Sequence, residues 1–249
     1  MSGLLISLKE GLKSFTERRN YKSVLIFWTG TFILLTSVLS LVATNHFRMG
    51  LILPDTAVQN LSTFSGPVLY PTGFIGIIIL IWNLVYTVKK NMAEELETSP
   101  LIDSIKPAAN IMVAELFLGM VFFILYLLTS ISILITIPLT VYLLAAVAYH
   151  PFIIIEDRKN FVRAIRESFR ITAGARRKTE ILVLYLLFVL LQTGLIWVSV
   201  SLLETLFGYL SIAVLAVPTS IILSFTIFSF TGLYQRHRDT RYHRIQWIL

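Results

Sequence analysis

The sequence contains no cysteine, and only 14% of its 249 residues are charged. Without cysteine, disulfides, thiolate metal sites and cysteine nucleophiles are excluded within the chain. Soluble domains carry roughly 25% charged residues, so the low charge argues against an ordinary soluble domain. With 56% hydrophobic residues, the composition indicates a protein that spans a membrane.

Recognised catalytic and nucleotide-binding motifs are also missing from the sequence. It has no Gly-x-Ser-x-Gly, His-Glu-x-x-His, Gly-x-x-x-x-Gly-Lys or dinucleotide glycine pattern. The ionisable residues inside the predicted spans are Glu115 and His150, fewer than the cluster of acids and bases that a membrane enzyme needs. His237 and His243 lie too far from other ligand types to suggest a metal site. We therefore expect no enzymatic activity, no cofactor and no metal.

The chain does have six long apolar stretches. Each reaches the roughly 17–25 residues that cross about 30 Å of hydrocarbon. They are continuous rather than alternating, which argues against a β-barrel, and backbone exposed to lipid must be helical. The predicted fold class is all-α: a single polytopic membrane domain with spans at 24–43, 72–88, 108–128, 132–155, 181–203 and 209–234. The third and fourth spans form a hairpin that turns near Thr129–Ser132 and Pro138.

The lysines and arginines fall in alternate gaps between these stretches. Of the 21 basic residues, only Arg48 lies in the complementary set of loops. Short loops rich in Lys and Arg stay in the cytoplasm, so we expect both termini to be cytoplasmic and the protein to be multi-pass in the plasma membrane. The net charge of +7 is this orientation signal, and since no nucleic-acid-binding motif accompanies it, we expect no nucleic-acid partner.

Two amphipathic helices are predicted outside the spans, and residues 235–249 are predicted to form a basic tail. The first helix, within residues 1–22, lies on the inner membrane surface or packs against the protein's own cytoplasmic helices. The second covers residues 157–174 and ends near Gly174. Its apolar face comprises Phe161, Val162, Ile165 and Phe169. Four basic residues fall within about 60° of one another on a neighbouring face: Lys159, Arg163, Arg166 and Arg170. Two interpretations of this basic stripe remain open. It binds anionic lipid headgroups or an acidic partner, or it is a solvated face whose positive charge serves only to orient the protein in the membrane.

A family resemblance arises in the same region. An apolar run ends at Pro151. It is followed by Ile153-Ile154-Ile155, by the acidic pair Glu156-Asp157, and then by Phe161, Ala164, Ser168 and Phe169. This pattern resembles the mid-region signature of the glycerophosphoryl diester phosphodiesterase membrane-domain superfamily, which includes uncharacterised archaeal and bacterial polytopic families. The resemblance covers most of residues 70–235 and implies the architecture of a hairpin followed by two spans. It does not imply the phosphodiesterase activity, because that resides in an attached soluble barrel of about 250 residues.

Glu115, His150 and Asn83 are the candidate polar cluster inside the membrane. Ionisable residues in spans are costly and are functional-site candidates. Because the third and fourth spans are antiparallel, Glu115 and His150 are expected at similar depth, with Asn83 and Tyr149 nearby. Such a pair could relay protons or bind a cationic or polar headgroup. The alternatives are a structural clamp between helices and snorkelling of each group to the inner interface.

These features predict a non-enzymatic integral membrane protein that acts as an accessory or structural subunit. Its expected partners are anionic membrane lipids and other membrane proteins or a second copy of itself. A small transporter or permease component is the second interpretation, and a lipid-modifying membrane enzyme is the third. Asn60, in the external loop, begins an Asn-Leu-Ser sequence that matches the N-glycosylation pattern.

Overall fold

The computed structural model describes residues 2–16, 21–44, 66–92, 104–129, 132–203 and 209–246. This part of the chain contains nine helices and no strand, so the predicted all-α fold class is confirmed. The helices are α1 (Ser2–Thr16), α2 (Tyr21–Thr44), α3 (Gly66–Met92), α4 (Ile105–Thr129), α5 (Ile133–Val147), α6 (His150–Asp157), α7 (Phe161–Ile171), α8 (Ala175–Leu203) and α9 (Tyr209–Gln246).

Four helical stretches of the described residues are long and apolar enough to cross a membrane. They are Pro71–Lys90, Ile105–Thr129, Ile133–Asp157 and Ala216–Thr240. Each has at least the length that about 30 Å of hydrocarbon requires. Large apolar side chains remain exposed along them, as Leu134 does at 85% and Met120 at 67%. Exposed apolar surface of this extent is stable in contact with lipid, so these helices indicate a membrane protein.

The chain divides into two compact units, whose boundaries fall inside α1, α3, α8 and α9. The first unit contains residues 1–14, 84–186 and 227–249, and the second contains residues 15–83 and 187–226. The second unit is held together by close helix packing and by polar pairs. A Cβ on Gly76 of α3 would lie 2.9 Å from the backbone nitrogen of Leu34 in α2, and such small residues let membrane helices approach closely. Trp28 Nε1 donates to the carbonyl of Ala213 at 3.2 Å.

In the first unit the predicted fourth span is interrupted. Instead of one helix over 132–155, α5 ends at Val147 and α6 begins at His150 after a turn at Ala148 and Tyr149. Of the two places predicted for the hairpin turn, Thr129–Ser132 falls between the end of α4 and the start of α5, whereas Pro138 lies inside α5. The break comes at Pro151, which has no N–H to donate to the carbonyl four residues earlier, at Val147.

The surface helix is also shorter than predicted. Asp157 ends α6, Arg158 adopts a left-handed conformation with φ 49°, and α7 begins at Phe161. The side chain of Asn160 caps α7 by accepting the backbone N–H of Arg163 at 3.1 Å. Lys159 therefore lies before the helix and does not extend its basic face. Gly174, with φ 113°, lies in the turn between α7 and α8.

The first and last helices pack against each other within the first unit. Ser7 is fully buried, and a Cβ on Gly11 would lie only 2.3 Å from Ser229 Oγ. This contact favours the expectation that α1 packs on the protein's own helices, although Leu5 remains 66% exposed. The predicted basic tail from residue 235 is not a separate segment, because α9 continues as helix to Gln246.

Candidate functional site

The turn between α5 and α6 is stabilised by hydroxyl groups from the surface helix. Ser168 Oγ donates to the carbonyl of Ala146 at 2.7 Å and accepts the backbone N–H of Tyr149 at 3.1 Å. Thr172 Oγ1 lies 2.9 Å from the carbonyl of Ser168 in its own helix and 3.3 Å from that of Ala146. Both hydroxyls are fully buried. Ser168 thus satisfies backbone groups that an uninterrupted helix would have paired internally, and with Thr172 beside it attaches α7 to the break.

His150 satisfies the carbonyl that Pro151 leaves without a backbone donor. Its Nδ1 lies 2.8 Å from the oxygen of Val147. Because a carbonyl oxygen can only accept, Nδ1 must carry the hydrogen. The other nitrogen, Nε2, points toward Glu115 of α4, with 3.4 Å between Nε2 and Oε1. The His150 side chain is 5% exposed and that of Glu115 is 51% exposed, so one partner is buried and the other is open to the surroundings.

A second histidine, His237 of α9, forms a complete chain of hydrogen bonds. Its Nδ1 lies 2.8 Å from the hydroxyl of Tyr149, and its Nε2 lies 2.9 Å from Oε2 of Glu180. The carboxylate accepts, so Nε2 donates to Glu180 and Nδ1 accepts from Tyr149. Arg176 Nε donates to the other oxygen of Glu180 at 3.3 Å. The chain ties the helix break to α8 and α9, and every member has a partner.

The electrostatic balance at Glu180 favours its ionised form. Burial acts to raise the pKa of Glu180, but the hydrogen bond and charge of His237 and the contact with Arg176 outweigh it. The net result is a pKa below the ordinary value of a glutamate. Glu180 is therefore a carboxylate at neutral pH and accepts from both neighbours.

A further carboxylate, Glu156, binds α6 to α9. The hydroxyl of Tyr234 donates to Glu156 Oε2 at 2.6 Å, and Arg238 forms an ion pair with Oε1. The ring of Tyr234 stacks on Phe152 with 5.6 Å between centroids. Together with the His237 chain, this contact links α6, α8 and α9 of the first unit through a network of polar side chains, and buried polar groups are stabilised by such pairing.

The predicted basic stripe is only partly preserved. Lys159 forms an ion pair with Asp157 at 2.7 Å, and Arg170 pairs with Glu167 at 3.5 Å. Arg163 and Arg166 are exposed on α7. Among the residues that the structure describes, none forms an ion pair or side-chain hydrogen bond with these two guanidinium groups.

The other basic residues of this segment stabilise the protein itself. Arg177 Nη1 donates to the carbonyl of Ile171 at 2.6 Å, at the end of α7. Lys178 lies over the ring of Tyr142, 3.7 Å from its centroid, a cation–π contact.

The face of α7 that packs on the protein differs from the predicted apolar face. The buried residues are Ala164, Ser168 and Ile171. Val162, on the predicted apolar face, is 52% exposed, and Ile165 and Phe169 are only half-buried. The helix thus carries an incompletely covered apolar stripe beside Arg163 and Arg166.

Asn83 belongs to the second unit, whereas Glu115 and His150 belong to the first. Asn83 is fully buried, and its Nδ2 donates to the carbonyl of Ser23 at 2.8 Å. This bond gives the side chain a structural role in joining α2 to α3. Asn60, the predicted glycosylation site, lies outside the described residues.

An open cleft in the first unit is lined by α1 and α9. Its volume is about 470 Å³, and it is lined by Ile6, Glu10, Gly232, Gln235, Arg236, Asp239 and Thr240. Its polar groups are two carboxylates, one guanidinium, one amide and one hydroxyl. The cleft was not predicted, because its two sides are separated by more than two hundred residues of chain.

The described helices and polar networks define a helical membrane protein with a broken span and an attached basic surface helix. No group of three His, Asp or Glu residues that could hold a metal ion occurs in the described part of the chain. The chain matches no protein-family model, no curated protein and no solved structure.

Proposed function

We propose that this chain is a non-enzymatic, six-span protein of the plasma membrane that binds anionic lipid headgroups through α7. The observation that carries the proposal is the exposure of Arg163 and Arg166 beside Val162, which is 52% exposed. Helices that lie in the membrane interface combine basic residues with a partly immersed apolar stripe. The two guanidinium groups can therefore bind lipid phosphates while Val162 contacts acyl chains.

The attachment of α7 supports this role. Ser168 and Thr172 fix the helix to the break in the span, and α7 also packs against α4, α5 and α6. A helix held in this way does not have to be ordered when lipid binds, so little conformational entropy is lost on binding. Each basic residue near an anionic surface contributes about 1 kcal/mol.

The proposal also includes the membrane topology of the protein and its family resemblance. The six-span arrangement with cytoplasmic termini places α7 on the inner leaflet, where anionic lipids are concentrated. The architecture resembles that of the glycerophosphoryl diester phosphodiesterase membrane-domain superfamily. Within it, the protein acts as an accessory subunit that contacts lipids and other membrane proteins or a second copy of itself.

Lipid binding can be tested with purified protein and phosphatidylglycerol, followed by native mass spectrometry. We expect R163Q/R166Q to weaken phosphatidylglycerol binding about tenfold or more, since two contributions of about 1 kcal/mol are lost. The control is K9Q/K106Q, which removes the same charge from two exposed lysines elsewhere. Equal weakening in both variants would show a general charge effect and would contradict the role of α7.

The span count and orientation need a separate test. Because the chain has no cysteine, single cysteines at Thr63 and Glu95 can be labelled selectively with an impermeant maleimide in intact cells. We expect labelling of T63C before lysis and of E95C only after lysis. Labelling of both from the same side would overturn the six-span topology.

A further inference from the structure

Glu115 and His150 present two hydrogen-bond acceptors to each other. Nδ1 of His150 carries the hydrogen because it donates to the carbonyl of Val147 at 2.8 Å, which leaves a lone pair on Nε2 of the neutral ring. That nitrogen is buried and has no hydrogen-bond partner among the described residues. Its neighbour at 3.4 Å is a carboxylate oxygen of Glu115, within ion-pair distance but itself an acceptor.

The two acceptors therefore lack a donor. A proton on Nε2 would make that nitrogen a donor to Glu115, and with the neutral ring a group with several N–H bonds satisfies both atoms together. The contrast with His237 is informative, because both nitrogens of that ring already have complementary partners in Tyr149 and Glu180. The missing hydrogen-bond donor at Nε2 is thus a feature of His150 that His237 does not share.

The charge and access of the pair define the class of group that fits. Glu115 contributes a negative charge, and half of its side chain is exposed while His150 is buried. A ligand would therefore meet the pair from the exposed side of Glu115. Tyr185 of α8 lies within electrostatic range of Glu115, so a phenol borders the same region. A cation with N–H donors matches a carboxylate and an imidazole lone pair, and an anion does not.

We propose that Glu115 and His150 form a binding site for a primary ammonium group, as carried by the headgroup of phosphatidylethanolamine. One N–H bond donates to Glu115 Oε1 and another to His150 Nε2. Glu115 lies on a helix apolar enough to cross the membrane, so a lipid headgroup reaches it from the interface. The site is distinct from the basic face of α7, which binds phosphate groups.

The choice of headgroup gives a sharp test, because choline is also cationic but has no N–H bond. Purified protein is titrated with short-chain phosphatidylethanolamine and phosphatidylcholine and followed by native mass spectrometry. We expect phosphatidylethanolamine to bind about tenfold more tightly, the scale of a charge-assisted hydrogen bond. Equal binding of the two lipids would overturn the proposal.

Two variants locate the site. E115Q removes the charge. H150N keeps a donor for the Val147 carbonyl while removing the Nε2 acceptor, so the helix break remains supported. We expect both to abolish the preference for phosphatidylethanolamine, and D239N, which removes an exposed carboxylate elsewhere, to retain it. A preference that survives in E115Q and H150N would contradict the site, and the thermal unfolding of each variant shows whether it is folded.

Free ethanolamine distinguishes the source of the ammonium group. Competition only by the lipid supports a headgroup site, and equal competition by ethanolamine supports a site for a soluble amine. Phosphatidylglycerol binding in the same variants separates this inference from the function proposed for α7. If E115Q loses the amine preference but binds phosphatidylglycerol normally, the two sites are independent.

Discussion

His150 donates from Nδ1 to the carbonyl of Val147 at 2.8 Å, the group that Pro151 deprives of its backbone donor. The proline that interrupts the helix and the side chain that repairs it are therefore adjacent in sequence. The repair fixes the tautomer of the imidazole and turns Nε2 toward Glu115. The helix break at Pro151 thus determines which nitrogen of the His150 ring carries the hydrogen inside the membrane domain.

Ser168 is expected to be the most sensitive hydroxyl at the break. S168A leaves the carbonyl of Ala146 and the N–H of Tyr149 with one partner fewer, and each unsatisfied buried group costs about 1–3 kcal/mol. We expect a clear fall in the melting temperature in detergent. S224A is the matched control, since Ser224 is equally buried but bonds only within its own helix, to the carbonyl of Ser220. An equal effect of both variants would show that the bridging role of Ser168 is unimportant.

The hydrogen-bond chain through His237 predicts coupling between its ends. Y149F removes the donor to Nδ1 and should destabilise the protein by about 1–2 kcal/mol. Y126F, at a tyrosine that is 73% exposed, should have little effect. In a double-mutant cycle measured by thermal unfolding, Y149F and H237F should be non-additive because they remove the same bond. Additive effects would mean that the bond contributes little.

The lowered pKa of Glu180 predicts how the stability of the protein depends on pH. Its folded-state pKa lies below the ordinary value of 4.5, so the carboxylate stabilises the fold above that pH, and this contribution is lost as the pH falls through the folded-state value. The difference in melting temperature between wild type and E180Q should be constant near neutral pH and should shrink below about pH 4.5. Unfolding scans in detergent at several pH values measure it. A difference that does not shrink below about pH 4.5 would contradict the lowered pKa of Glu180.

The packing of α1 on α9 predicts opposite outcomes for two glycines. G11A places a Cβ 2.3 Å from Ser229 Oγ and 3.0 Å from its backbone, so we expect a loss of about 1–3 kcal/mol. G119A meets nothing within 4 Å and should be neutral or stabilise the helix by up to about 1 kcal/mol. Limited proteolysis near the N-terminus and thermal unfolding measure both effects. A neutral G11A would show that α1 does not pack on α9.

The all-α fold class and the amphipathic helix α7 could be predicted because they depend on local composition and on the spacing of apolar residues along the sequence. The juxtaposition of Glu115 and His150 followed from the antiparallel hairpin. The break at Ala148 was not predictable in the same way, because it lies in a continuous apolar run. Pro138 was the more obvious signal, but it is accommodated inside α5.

The hydrogen-bond networks were missed for a different reason. The partners of His237 are 57 and 88 residues away in sequence, so its position in a basic segment gave no indication of burial. Ser168 was noted only as part of a family pattern, although its hydroxyl joins α7 to the break. Small polar residues on the buried side of an amphipathic helix are the signal that could have indicated this attachment.

The bonds from Ser168 to Ala146 and Tyr149 also fix the position of α7 relative to the interrupted helix. Because this attachment is to the backbone at the end of α5, the positions of Arg163 and Arg166 depend on the length of α5. Each residue inserted between Thr136 and Ala146 would move the attachment point by about 1.5 Å along the helix axis and turn it by about 100°. A change in the length of α5 should therefore alter where the proposed lipid-binding face of α7 lies.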